Sequence, residues 1–261
     1  MKYTNRKRKH SKRRVKSYRN IKSSQRGGTN QIPIFIICWN QYTYVKSTVD
    51  QLQAYDKNMK IYIIDNKSTY EPLVKYLKEI DGKDGVKVLY QPENYGHKVY
   101  ERPEIMELGG EKYIVTDPDL KFNPKMPKNF LDIMSELSDK YKTNKIGLAL
   151  DIKNNLDLTK KLDGKNGETF ARNESQYWNN PVKEETKYEL YSAPIDTTFA
   201  LINKKYRLVG SMYQSIRIAG DFTAVHRPWL IGNEKDLLPG EMDFYLKSKD
   251  NISTTLNRWK K

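Results

Sequence analysis

The sequence has one cysteine, no long apolar run and no acidic residue near its start. Because a disulfide needs two cysteines, Cys38 alone excludes an internal disulfide and any zinc site built on several cysteines. No stretch of about 18 apolar residues could span a membrane, and no apolar leader segment is evident. We therefore expect a cytoplasmic or nuclear protein without a transmembrane segment.

The basic charge is concentrated at the start of the chain. The first 26 residues hold twelve of the 47 lysines and arginines and no acid, so the other 35 basic and 32 acidic residues leave a net charge of only +3 out of +15. Residues 1–30 also lack apolar periodicity, which predicts a disordered basic tail. Such a tail could contact nucleic acid, an anionic membrane or an acidic protein, or serve nuclear import; the alternative is a solubilising extension.

Buried strands alternate with amphipathic helices over residues 31–150. Apolar runs that are typical of strands covered on both faces occupy 32–39, 61–64, 113–115 and 146–150, and residues 86–90 predict a further short strand. Apolar residues at helical spacing occupy 44–55, 73–80, 99–108 and 130–141. This alternation predicts an α/β fold with a mixed, mostly parallel, Rossmann-like sheet flanked by helices. We expect residues 31–261 to form one domain.

The pattern is less regular after residue 150. Residues 151–188 predict loops and a short helix, and residues 191–202 are rich in β-forming side chains, which predicts a strand carrying Asp196. Residues 216–229 predict a loop-rich segment, and residues 242–246 a short C-terminal helix.

The most informative motif is Asp117-Pro118-Asp119, which directly follows an apolar strand. In open α/β sheets, ligands bind beyond the carboxyl ends of the strands, and two carboxylates there suit a hard divalent cation shared with substrate phosphates. The alternative is an ordinary solvated turn, because aspartate and proline are both common in turns. The motif is too short to decide between the two.

Several segments in a fixed order resemble the GT-A glycosyltransferases, particularly the family-two-like group. They are the opening strand, Asp65 at the end of the second strand, Asn94-Tyr95-Gly96-His97-Lys98, the Asp117-Pro118-Asp119 turn, the block 193–201 and His226-Arg227-Pro228-Trp229. Together they cover roughly residues 32–230. The lysine- and arginine-rich tail also resembles extensions on proteins of large DNA viruses, which would place the chain in the host cytoplasm or the virion.

The resemblance implies a set of donor and metal contacts. Asp65 would face the base or ribose of a nucleotide-sugar donor, and Asp117 would contact ribose and share a Mn²⁺ or Mg²⁺ ion with Asp119. His226 would complete the metal shell, although the metal-binding histidine of other GT-A groups lies in a different local sequence. Further donor contacts would come from Asn94, Gly96, His97, Lys98, Arg217 and Arg227.

The expected reaction moves a sugar from a UDP- or GDP-linked donor to an acceptor hydroxyl on a glycan, protein or other molecule. A divalent ion would stabilise the charge that develops on the leaving diphosphate. If configuration is inverted, the hydroxyl needs a base. Asp196 is our candidate because a carboxylate in an apolar strand is costly without a partner or a role, and Asp221 is the reserve.

Two other functions remain open at this stage. A nucleotidyltransferase could use the Asp117 and Asp119 pair to hold two metals, although no glycine-rich phosphate loop is present. A non-catalytic nucleic-acid-binding protein could act through the basic tail. A glycoside hydrolase fits less well, because that chemistry places its two carboxylates on opposite sides of one sugar.

Overall fold

The computed structural model describes residues 31–154, 156–157, 168–184, 186–207 and 215–248. The strands are β1 Ile34–Cys38, β2 Ile61–Asp65, β3 Val86–Tyr90, β4 Lys112–Thr116, β5 Leu120–Phe122, β6 Lys145–Leu148, β7 Leu190–Ser192, β8 Ala200–Asn203, β9 Ile216–Ile218 and β10 Ala224–His226. The α-helices are α1 Tyr42–Gln53, α2 Glu71–Ile80, α3 Pro103–Leu108, α4 Phe130–Lys140, α5 Phe170–Ser175 and α6 Glu241–Lys247.

The main sheet has the strand order β3-β2-β1-β4-β8-β6-β9-β7 within the described residues. Neighbours β3, β2, β1 and β4 are all parallel, as are β6 and β9. Strand β8 runs antiparallel to both β4 and β6, and β7 runs antiparallel to β9. This mixed, mostly parallel sheet with flanking helices confirms the predicted fold class.

The apolar runs form central strands because both of their faces are covered. Every residue of β1 is buried. Its alternate side chains point to opposite faces, so Ile34 and Ile36 lie in the larger core with residues of α1, α2 and α4, whereas Phe35 and Ile37 lie in a smaller core with residues of α3. Helices and their side chains therefore cover both faces of the central strands.

Three sequence-based predictions are wrong in detail. Residues 191–202 do not form one strand: β7 ends at Ser192, β8 begins at Ala200, and Asp196 lies exposed in the connection between them. The predicted helix 99–108 is a 3₁₀-helix, Gly96–Glu101, followed by α3, because Pro103 begins a new helix. Asn40 is of a residue type that favours helix caps and precedes the apolar pattern 44–55, which predicts it as the cap of α1. Instead it has a φ of +52° and accepts hydrogen bonds from the backbone amides of Thr69 and Tyr70, before α2.

The C-terminal helix α6 packs against the start of α1. The buried carboxylate of Glu241 accepts hydrogen bonds from the backbone amide and the hydroxyl of Thr43, at 2.8 and 2.5 Å. The ring of Tyr245 contacts Trp39 at the end of β1, with 5.2 Å between centroids. The segment after β10 is thereby fixed beside the carboxyl ends of the central strands. In the described part of the chain, every helix is too short or too polar to cross a membrane.

Candidate active site

The turn Asp117-Pro118-Asp119 connects β4 to β5. Its backbone accepts hydrogen bonds from two distant segments of the chain. The hydroxyl of Thr48, in α1, donates to the carbonyl of Pro118 at 2.5 Å. The backbone amide of Arg227, just after β10, donates to the carbonyl of Asp119 at 2.9 Å. With its backbone anchored from two directions, the turn presents both carboxylates at the sheet edge where ligands of α/β proteins bind.

The side chains of Asp119 and His226 are brought together by the pairing of two short strands. Strands β5 and β10 pair antiparallel with His226 opposite Leu120, and this register brings Nε2 of His226 within 3.4 Å of Oδ2 of Asp119. Both side chains are largely buried, yet Oδ1 of Asp119 and Nδ1 of His226 have no hydrogen-bond partner. Burial lowers the pKa of His226, against the opposing charge of Asp119. The imidazole is therefore neutral at pH 7 and keeps a lone pair for a ligand.

Asp117 points toward the opposite side of the turn and is bound by Thr197. The hydroxyl of Thr197 donates to Oδ2 of Asp117 at 2.5 Å, and the backbone amide of Asp117 donates to the carbonyl of Thr197 at 2.7 Å. Burial, followed by the charge of Asp119, raises the pKa of Asp117 well above its usual range. A cation beside the two carboxylates would relieve that repulsion.

These residues fit a divalent cation that also binds a substrate. Within the described residues, no group of three or more His, Cys, Asp and Glu side chains is arranged to hold a metal without other ligands. However, Mg²⁺ and similar ions are commonly bound through one or two carboxylates together with water and substrate phosphates. The two unpartnered buried atoms, on Asp119 and His226, are the observation that favours such an ion here.

Asp65 lies at the same edge of the sheet, two strands away from Asp117. It pairs with Cys38 of β1, while Thr116 pairs with Ile36, so two strand spacings put the two backbones about 10 Å apart. The side chain of Asp65 is buried and accepts a hydrogen bond from the amide of Ser68 at 3.0 Å. Burial raises the pKa of Asp65, and the bonds from Ser68 partly offset this.

The loop carrying Asn94, Gly96, His97 and Lys98 is attached directly to the residue after Asp65. Asn66 donates from Nδ2 to the carbonyl of Gly96 at 3.1 Å. The side chain of Asn94 accepts from the amide of Gly96 at 2.9 Å, and Gly96 has a φ of +71°, which glycine adopts without strain. His97 and Lys98 are exposed on the 3₁₀-helix. The loop thus lies beside Asp65, and the side chains of His97 and Lys98 face solvent.

The two predicted arginines have different surroundings. Arg227 follows His226 directly, and its guanidinium lies 3.2 Å from Asp236 and 5.1 Å from the ring centroid of Tyr44. Arg217, in β9, forms a buried ion pair with Glu174 and donates from Nε to the carbonyl of Pro194 at 2.8 Å. Arg227 therefore borders the Asp119 pair, whereas the charge of Arg217 is already neutralised by α5.

The two candidate bases are both exposed. Asp196 directly precedes Thr197, and its charge contributes, after burial and Asp119, to the raised pKa of Asp117. Asp221 lies on the 3₁₀-helix Gly220–Phe222, after β9. Asp196 is therefore not a carboxylate in an apolar strand, and the reason first given for choosing it as the base is wrong. Its position beside Asp117 is the reason that remains. Within the described residues, no similar interaction connects Asp221 to Asp117 or Asp119.

Two site residues were missed by the sequence reasoning. Thr197 binds Asp117 twice, through its hydroxyl and through its carbonyl. Asn66 joins the end of β2 to the loop at Gly96. The position of Asn66 after Asp65 could have indicated its role. Nothing in the sequence near Thr197 indicates a contact with a residue 80 positions earlier.

Comparison with known proteins agrees with this arrangement. Residues 34–144 match the family model described as glycosyl transferase family 2. No curated protein matches the chain. The matched range begins with β1 and includes Asp65, the loop at Gly96 and both carboxylates of the turn.

Several solved structures are also similar. A crystal structure of S. aureus TarS 1-349 in complex with UDP-GlcNAc aligns with 46% of this chain and 34% of its own, at 17% identity and a TM-score of 0.37. The mannosyltransferase PcManGT from Pyrobaculum calidifontis in complex with GDP-Man and Mn²⁺ aligns with 88% of this chain and 68% of its own, at 12% identity and a TM-score of 0.47. This chain thus spans about a third of the TarS structure. Residues 34–144 are therefore the part of the chain that is similar to glycosyl transferase family 2.

Proposed function

We propose that the chain transfers a sugar from a UDP- or GDP-linked donor to an acceptor hydroxyl, with Mn²⁺ or Mg²⁺ bound beside the donor diphosphate. The observation that carries this proposal is the Asp119 and His226 pair. Two buried side chains with unpartnered ligand atoms lie at the carboxyl ends of parallel strands, beside a region that matches a glycosyltransferase family. A structural pair would instead be expected to satisfy its own buried polar atoms.

Asp119 and His226 would hold the cation, with Asp117 on the donor side. When bound, the ion would supply Lewis-acid stabilisation of the negative charge on the leaving diphosphate. Because His226 is neutral at pH 7, it offers a ligand atom without first losing a proton. Arg227, whose amide already positions Asp119, adds positive charge on the same side of the turn.

Asp65 and the loop at Gly96 would receive the nucleoside. The separation of about 10 Å between the ends of β2 and β4 is compatible with a nucleoside on Asp65 and a diphosphate at Asp117 and Asp119. A carboxylate can accept hydrogen bonds from ribose hydroxyls or base amines, because its two oxygens together offer about four lone-pair sites. Asn94, His97 and Lys98 border this position, with Lys98 available to a phosphate.

Asp196 is the proposed base for a transfer that inverts configuration. It is exposed, so an acceptor hydroxyl can reach it, and it lies on the connection that holds Asp117. The nearby Lys145 is partly buried: burial lowers the pKa of its ammonium group, while the charges of Asp196, Glu101 and Asp117 oppose that shift. The ammonium group of Lys145 therefore lies within electrostatic range of both Asp196 and Asp117. Asp221 stays the alternative base. Arg217, which pairs with Glu174 of α5, is a candidate for positioning that helix near the acceptor.

The test is a donor screen with a metal control. The full chain is incubated with UDP- and GDP-linked sugars in Mn²⁺, in Mg²⁺ and in EDTA, and release of nucleoside diphosphate is measured. We expect release with at least one donor, abolished by EDTA and restored by added Mn²⁺. Folded protein that neither binds nor hydrolyses any donor in the presence of either metal would contradict the proposal, and release of pyrophosphate from nucleoside triphosphates would favour nucleotidyl transfer instead.

A further inference from the structure

Asp117 is held by two hydrogen bonds to a single residue from a distant part of the chain. Thr197 accepts from the backbone amide of Asp117 at 2.7 Å and donates its hydroxyl to Oδ2 at 2.5 Å. In the second bond the hydroxyl of Thr197 is the donor and Oδ2 of Asp117 is the acceptor. One bond sets the position of the backbone, and the other sets the rotation of the carboxylate.

The turn that carries Thr197 is itself tightly constrained. Phe199 has a φ of +47°, which is rare for a bulky residue, and its side chain is fully buried. Its ring packs on Phe122 of β5 and Phe130 of α4, with centroid separations of 4.9 and 5.7 Å. A strained conformation persists only where the surroundings hold it, and such positions are concentrated at functional sites.

Gly147 in β6 leaves the room that this turn needs. A Cβ at Gly147 would lie 3.1 Å from the carbonyl oxygen of Phe199, 3.2 Å from Cα of Ala200 and 3.2 Å from Cγ2 of Ile195. Two of these three atoms belong to the backbone and cannot move aside as a flexible side chain could. The connection between β7 and β8 therefore packs directly against β6. This close contact is possible because residue 147 has no side chain.

We propose that Thr197 is a positioning residue that presents the second oxygen of Asp117 to the cation and the donor. With Oδ2 occupied by the hydroxyl of Thr197, no other bond to the Asp117 carboxylate is present among the described residues, which leaves Oδ1 for a ligand. Thr197 is 3% exposed, so it acts from behind the carboxylate without contacting the donor. This inference rests on the proposed function, because it takes Asp117 to contact the metal and nucleotide.

The test compares Thr197→Val, which removes the hydroxyl and keeps the shape, with Thr197→Ser, which keeps the hydroxyl. Binding of Mn²⁺ alone and with UDP or GDP is followed through the electron paramagnetic resonance signal of free Mn²⁺, and the melting temperature is measured in parallel. Loss of a residue that orients a metal ligand typically weakens affinity by about 10- to 100-fold. We expect a loss of that size for Thr197→Val and near-wild-type affinity for Thr197→Ser.

Thr198→Val is the matched control. Thr198 is the neighbouring residue and is also buried, and its hydroxyl has no hydrogen-bond partner. The same substitution there should leave Mn²⁺ affinity unchanged. An equal loss in both valine variants would indicate a general disturbance of the turn and would overturn the specific role of Thr197.

A comparison with a double variant tests whether Thr197 affects Mn²⁺ binding through Asp117. In an Asp117→Asn background, Thr197→Val should add little further loss, because the group that it positions has been changed. Additive losses, or a folded Thr197→Val that binds Mn²⁺ as tightly as wild type, would overturn the inference. If Thr197→Val does not fold, the Mn²⁺ affinity of Thr197→Ala, which lacks the hydroxyl, is compared with that of Thr197→Ser, which keeps it, and the same outcomes are expected. If the wild-type chain does not bind Mn²⁺ with either nucleotide, that result would instead contradict the proposed function.

Discussion

At the residue scale, the site depends on side chains that are far apart in the sequence. Asp119 and His226 were both predicted, but their contact results from the register in which β10 pairs with β5. A register shift of one residue would turn His226 to the other face of the strand. The chemistry of the site therefore follows from residue identity, and its geometry from strand pairing.

Replacing Asp119 by asparagine is expected to lower metal-dependent turnover by about 100-fold or more, because preorganised stabilisation of a developing charge is typically of that size. Asp132→Asn is the matched control, since Asp132 is exposed in the first turn of α4. Turnover is measured as nucleoside diphosphate release at saturating Mn²⁺. Near-wild-type turnover in Asp119→Asn would rule out the cation site proposed here.

At the element scale, the sequence predicted the regular part of the sheet better than its second half. Strands β1 to β4 are predominantly apolar, and their identity was confirmed. Strands β5 and β10 have three residues each, which is too short for a periodic signal. The single strand predicted over 191–202 is interrupted by Pro194, which has no amide hydrogen for a ladder, and by the positive φ of Phe199.

Helix α4 is fastened to the sheet by a polar network with a predictable pH dependence. Asp139 of α4 forms an ion pair with Lys112 of β4 and accepts from Nδ2 of Asn203, in β8, at 3.2 Å. Partial burial raises the pKa of Asp139, but the hydrogen bond and charge of Lys112 and the bond from Asn203 outweigh it and lower the pKa below its usual range.

Asp139→Asn is therefore expected to lower the free energy of unfolding at pH 7, by about 1 kcal/mol or less because Asp139 is partly exposed. A carboxylate with a depressed folded-state pKa stabilises the fold above its unfolded pKa of about 3.9, and the contribution is lost as the pH falls through the folded-state value. Urea unfolding at pH 7 and below pH 4 tests this. A difference between variant and wild type that grows on acidification would contradict it.

At the scale of the whole molecule, charge separates the tail from the rest of the chain. Residues 1–30 lie outside the described residues, so the predicted basic tail and its boundary at residue 30 stay predictions. The predicted contacts with nucleic acid, an anionic membrane or an acidic protein, the viral resemblance, and the cytoplasmic or nuclear location stay predictions as well. The remainder of the chain carries a net charge of only +3, too little for strong non-specific attraction to polyanions.

Removal of residues 1–30 is expected to leave nucleotide-sugar turnover intact and to abolish salt-sensitive binding to polyanions. Neutralised phosphates release counterions, so the affinity of a basic segment falls steeply with salt. Elution from heparin and binding to duplex DNA are compared for the full and shortened chains across a salt series. Identical elution of the two would favour the solubilising extension, and loss of turnover in the shortened chain would show that the tail contributes to catalysis.

The sequence alone determined the type of fold and the residues most suited to chemistry. Hydrophobic period and run length reflect burial, which acts locally on each strand and helix, so Asp65, Asp117 and Asp119 could be placed at strand ends without coordinates. Tertiary structure alone decided which groups meet: Thr197 at Asp117, His226 at Asp119 and Glu174 at Arg217. These contacts depend on the register of short strands and on one strained turn, which are fixed by packing between distant segments and leave no local pattern in the chain.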